Sequence, residues 1–160
     1  MSRASRAGTV VVDLRLRGYL QEAVLHELGA AQQYVAQGCL AELWGLDEVA
    51  ARFRRDAAEE LGHLERLTRR SLLLGVVPRG GPVPPVRLGR TVEEMLLIDR
   101  ALEQEVVRTY DDAAHHAAQV GDEASAALFL ELLEEELEHL ASIEQALWGP
   151  SATVTEGSSA

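Results

Sequence analysis

A chain of 160 residues, 47% of them apolar, is long enough for one domain to bury its core without cross-links, and its lone Cys39 excludes an internal disulfide framework or a paired-thiol motif. A formal net charge of -11, with every basic residue an arginine, disfavours a phosphate backbone as partner and favours cations. No segment reaches membrane-spanning length and the opening MSRASRAGTVVV lacks a secretory core, so a cytoplasmic protein without membrane contacts is expected.

Residues 1–11 read as an N-terminal arm. A first helix is expected from about Val12 to Trp44, with Leu16, Leu20, Val24, Ala31 and Tyr34 on one face. Gly45 stops it, and Asp47 is the expected N-cap of a second helix running from about Glu48 to Leu74. That helix carries Phe53, Ala57, Leu64, Leu67 and Leu74 on its inner stripe. The stretch GVVPRGGPVPPVRLGR (75–90) holds four of the five prolines and cannot be helical. It is long enough to cross from one end of a bundle to the other.

Thr91 as N-cap and Glu94 at the capping-box position open a third helix, which reaches about Val120. Gly121 ends it, and Asp122 caps a fourth helix that runs to about Trp148. Residues 149–160 read as a flexible tail. The expected architecture is all-α: residues 12–148 form a four-helix bundle with a long crossover between helices two and three. Trp44 and Trp148 are expected to pack, and Cys39 to be a small buried hydrophobe.

Each apolar stripe is interrupted by a carboxylate. Glu27 lies within the first, Glu60 between Ala57 and Leu64, Glu103 between Leu96 and Val106, and Glu136 between Leu132 and Ile143. Two stripes add an imidazole one turn on, His63 and His139, in ExxH spacing, which puts both side chains of each pair on one helix face. The interval from Glu27 to Glu60 is 33 residues, and so is that from Glu103 to Glu136. An unpaired buried charge costs several kcal/mol, about fourfold here, unless cations balance it. Oxygen and nitrogen donors without thiolate suit iron or manganese, and the set matches a carboxylate-bridged di-metal bundle. Asp99, one turn before Glu103, is a candidate supporting residue. His26 is expected at the surface, His115 and His116 at a helix C-terminus, and Glu131, Glu134, Glu135 and Glu138 on a solvated face. Tyr110 reads as a core aromatic.

The segments HELGAAQQY (26–34), WGL (44–46), EELGHLERL (59–67), LLLGVVP (72–78), VEEMLLIDRALE (92–103) and EEELEH (134–139) occur in the order of the bacterioferritin family, which the chain resembles from about Leu16 to Trp148. The resemblance implies a ferritin-like fold and a di-iron ferroxidase with ligands Glu27, Glu60, His63, Glu103, Glu136 and His139. It makes Glu60 and Glu136 the bridging carboxylates and sets Tyr34 beside the iron pair. Ferrous iron and O₂ or H₂O₂ would be the substrates, in iron storage or detoxification. The family's haem is held by a methionine after the helix-two glutamate; Leu61 stands there and cannot ligate iron, which tells against haem. A short fifth helix lines the channels of the family's shell, and here a Gly/Ser-rich tail takes its place. Expected assemblies are therefore a homo-oligomer, from a dimer to a shell, co-assembly with a related ferritin subunit, or packaging inside a protein compartment. The alternatives are a di-iron oxygenase or peroxidase on a small molecule, and a metal-free helical scaffold.

Overall fold

The computed structural model describes residues 12–149. The expected arm at 1–11, and all of the expected tail but Gly149, lie outside the described residues. Four helices follow one another: α1 (Leu14–Leu43), α2 (Asp47–Leu73), α3 (Val92–Gln119) and α4 (Glu123–Trp148), and no strand occurs among the described residues. No helix of these is long and apolar enough to cross a membrane.

The helix starts follow from side chains that accept otherwise unpaired N–H groups. Asp13 caps α1 through Arg15 N and Leu16 N, Thr91 caps α3 through Glu94 N at 3.1 Å, and Asp122 caps α4 through Ser125 N at 3.0 Å. Glu94 reaches back to Arg90 N at 2.7 Å, one residue beyond the usual capping-box partner. At α2 the expectation needs correcting: the N-cap is Leu46, with no side-chain bond, and Asp47 is already helical. There it and Glu48 face the positive end of the helix dipole. The turns after α1 and α3 are tight because Gly45 and Gly121 adopt φ of 74° and 77°, where a Cβ would be strained.

Short turns make α1–α2 and α3–α4 antiparallel hairpins, and each helix packs chiefly on its hairpin partner. The crossover runs up the outside of α1, held by two glutamines that each bond a backbone amide on both sides. Gln21 pairs with Arg79 N and O, and Gln33 with Arg87 N and O, at 2.5–2.9 Å. Gly29 leaves room for this strap, since a Cβ there would stand 3.1 Å from Pro84.

The core splits in two. One apolar cluster gathers Leu16, Leu20, Val24, Leu67, Val106, Tyr110, Phe129 and Leu132. The other gathers Ala30, Tyr34, Phe53, Ala57, Met95, Leu96 and Ile143. In all four helices the interrupting glutamate falls between the two clusters. Leu64 and Leu74 are only half-buried against the first. Three packing expectations are corrected. Cys39 is exposed, on the outer side of α1 with Leu28 and Val35. Trp44 is 40% and Trp148 60% exposed, each at the C-terminal end of a helix. The Arg100 guanidinium lies over the Trp148 ring at 5.0 Å.

Candidate metal centre

Glu27, Glu60, Glu103 and Glu136 come one from each helix and are at most 1% exposed. They meet between the two apolar clusters, with His63 and His139 beside them. The six side chains form two groups, Glu27–Glu60–His63–Glu136 and Glu60–Glu103–Glu136–His139, and in each the candidate donor atoms lie within 4.8 Å of one another. Glu60 and Glu136 belong to both.

Distances show how the sharing arises. His63 Nδ1 is 3.1 Å from Glu60 Oε2 and 2.9 Å from Glu136 Oε1. His139 Nδ1 is 3.4 Å from the other Glu60 oxygen and 4.0 Å from the other Glu136 oxygen. Each shared carboxylate therefore turns one oxygen to each imidazole. Glu27 stands 3.7 Å from His63 Nδ1 and Glu103 3.6 Å from His139 Nδ1, each on one side only. Tyr110 donates its hydroxyl to Glu27, and Tyr34 donates to Glu103.

So many acids in one dry place perturb each other. Burial and the charges of Glu60 and Glu136 push Glu27 and Glu103 well above the usual carboxylate range. Burial acts the same way on Glu60, but the His139 and His63 imidazoles beside it outweigh burial and hold that group low. Burial opposes charge on the imidazoles too, yet their carboxylate partners push both up to about 11. Even so, Glu27 Oε2, Glu60 Oε1 and both Glu136 oxygens lack a hydrogen-bond partner. Acceptors left bare in the interior are costly, and a cation is what would satisfy them.

The surroundings were partly hidden in the sequence. Tyr110, read as a core aromatic, touches Glu27 as Tyr34 touches Glu103. The signal was present: Glu27, Tyr34, Phe53, Glu60 and His63 recur 76 residues later as Glu103, Tyr110, Phe129, Glu136 and His139. Phe53 packs beside Tyr34 and Phe129 beside Tyr110, and Gly45 recurs as Gly121 on the same shift. Glu135, expected on a solvated face, lies 3.0 Å from His63 Nε2 and pairs with Arg66 at 2.6 Å. Asp99 is fully buried and accepts from Gln37 Nε2 at 2.8 Å, and burial pushes its carboxyl up to about 7. His26 is half-buried rather than at the surface. His116 Nε2 lies 2.7 Å from the α1 cap Asp13, and His115 sits on Asp111; neither joins a metal-sized group among the described residues.

A cleft of about 620 Å³ opens between α2 and α4. Its walls include Arg52, Asp56 and Glu59 on one side and Glu135, Glu138 and Ser142 on the other, with His63 and His139 at its inner end.

The model of the ferritin-like domain matches residues 18–150. The chain is 33% identical over 132 residues to the bacterioferritin of Rhodobacter capsulatus, covering 82% of both chains. It is 32% identical over 128 residues to that of Mycobacterium leprae, covering 80% of both. The solved structure of the Rhodobacter capsulatus bacterioferritin, described as having a metal-free dinuclear site and haem iron in a crystallographic special position, superposes with a TM-score of 0.82. Its identity is 32%, and 85% of each chain is covered.

Proposed function

The chain belongs to the ferritin-like domain family, with bacterioferritins as its relatives, and on that premise we propose that it is a ferroxidase of iron storage and detoxification, oxidising Fe(II) with O₂ or H₂O₂ at a di-iron centre. The observation that carries the reading is the pair of overlapping groups, each with three carboxylates and one imidazole and two carboxylates in common. Four carboxylates balance two divalent cations in charge, and the unpartnered oxygens of Glu27, Glu60 and Glu136 are where donors to metal are wanted.

Glu27, Glu60, His63 and Glu136 would hold one iron, and Glu60, Glu103, Glu136 and His139 the other. When bound, the pair supplies the electrons that the oxidant takes up, one from each ion. The protein's part is positional. Glu60 and Glu136 present one oxygen to each half and can shift between binding modes as charge changes. Tyr34 and Tyr110 hold the outer glutamates by their hydroxyls. His63 and His139 would offer Nδ1 to the metal, and His63 Nε2–H, 3.0 Å from Glu135, would donate to that carboxylate and fix the ring. The burial of Tyr34 between Glu103, Phe53 and His139 supports a role for it as an electron donor to the centre.

The haem of the solved relative does not fit here. Leu61 offers no donor atom and stands half-exposed on α2, so no step is assigned to haem. The charged walls of the cleft suit an ion better than the apolar substrate of an oxygenase. The unpartnered carboxylates speak against a metal-free scaffold. The same reading places the protein in the cytoplasm as a homo-oligomer, or together with a related subunit.

The test is anaerobic addition of Fe(II) to metal-free protein, then oxygen. Uptake of two irons per chain with rapid O₂ consumption is expected, and loss of that consumption in Glu60→Ala. Unchanged consumption in the variant would refute the site. Light scattering on the same sample reports the assembly.

A further inference from the structure

The 76-residue repeat builds two matching half-sites, and departures from it show where they differ. Around Glu27 and His63 the repeat places Ala23, Ala113 and Leu132, all buried. The corresponding positions around Glu103 and His139 are Asp99, Gln37 and Asp56. Three apolar side chains on one side are thus two carboxylates and an amide on the other. Asp99 and Gln37 are fully buried and bonded to each other, yet Asp99 Oδ2 and Gln37 Oε1 have no donor. Asp56 Oδ2 lies 3.7 Å from His139 Nε2 and 3.7 Å from Arg52, which offsets its charge. On the first side Glu135 and Arg66 make a comparable pair beside His63. The uncompensated difference is the Asp99 carboxylate, set among Gln37, Tyr34 and His139.

We propose that the half-site of Glu103 and His139 is the high-affinity one and takes the first divalent cation, with Asp99 as the residue that sets the preference. The proposal rests on the six ligands assigned above. Asp99 does not need to touch the metal. In its ionised form the buried Asp99 carboxylate lowers the potential of the cavity beside it, and a divalent ion senses that twice over. A single charge at this range, at an effective dielectric of about 20, corresponds to at least about a tenfold difference in affinity. The half-site of Glu27 and His63 then fills second, against the charge already bound. The order of filling is set by the supporting residues, since the ligands of the two halves are the same.

Co(II) added to the metal-free protein, followed by its visible absorption and by calorimetry, reads this directly. Two steps by themselves also arise from repulsion between two cations, so the isosteric variants Glu27→Gln and Glu103→Gln decide which half is which. Glu27→Gln is expected to keep the tight step, and Glu103→Gln only the weak one, with affinities about tenfold or more apart. Asp99→Asn should bring the tight step towards the weak one and leave the weak one in place. Equal affinities in the two ligand variants would overturn the proposal, as would an Asp99→Asn variant with wild-type steps. Absence of any Co(II) binding by the wild-type chain would instead refute the ligand assignment itself. Circular dichroism shows whether each variant folds, and equal first and second steps in the wild-type titration would refute the preference without any variant.

Discussion

Each outer glutamate of the centre depends on one phenol. Removing the Tyr110 hydroxyl leaves Glu27 Oε1 without its donor in a place that water does not reach. Tyr110→Phe should therefore cost about 1–3 kcal/mol in the metal-free protein, measured by urea unfolding. A loss below a few tenths would mean that the bond is not formed. The titrating groups give a second expectation. Glu27, Glu103 and Asp99 are raised, so each favours folding at pH below its unfolded value and loses that contribution as pH rises through its folded value. His63 and His139, raised to about 11, act in the same direction: their contribution is complete below about 6.5 and is lost as pH rises towards 11. Metal-free protein should accordingly have a lower Tm at pH 9 than at pH 6, and divalent ions, which compete with these protons, should bind more tightly at pH 9. A Tm rising over that interval would contradict the assignment. The burial of Glu27, Glu60, Glu103 and Glu136 was legible in the sequence because each lies inside an apolar stripe, where a carboxylate is too costly to bury without a cation beside it. Asp56, Gln37 and Glu135 were not, because whether a residue at the margin of a stripe points inward depends on how its helix is rotated against its neighbours.

At the level of elements, the helices were readable from punctuation. Gly45, Gly121, Thr91 and Asp122 do what their chemistry suggests, and the proline-rich segment is the crossover. Asp47 was misplaced by one residue because the turn positions Leu46 at the cap without any side-chain bond. Cys39 and the two tryptophans were misjudged because apolar character alone does not say which outer faces receive a covering element. The strap along α1 was foreseen as a connection, but its anchoring by Gln21 and Gln33 was not, since glutamine carries no local signal. Gln33→Ala removes both bonds to Arg87 and should cost about 1–2 kcal/mol. Trypsin should then cut sooner at Arg79, Arg87 or Arg90. Wild-type cleavage rates would show that Gln21 and packing against Gly29 hold the strap unaided.

For the molecule as a whole, charge repulsion at the centre opposes folding and cations relieve it. Saturation at about 100 times Kd adds about 2.7 kcal/mol, so Tm should rise on Co(II) addition and fall back with a chelator. An unchanged Tm would mean that the folded chain does not bind the ion. The strap also lies outside the four helices, joining two hairpins that are each complete. The first hairpin supplies three members of its own metal group and lends Glu60 to the other; the second does the same and lends Glu136. A chain severed in the strap would thus be two peptides that each hold an unfinished cage. Divalent metal becomes the adhesive between them, and its apparent affinity in such a nicked protein should climb with peptide concentration, as for any bimolecular assembly.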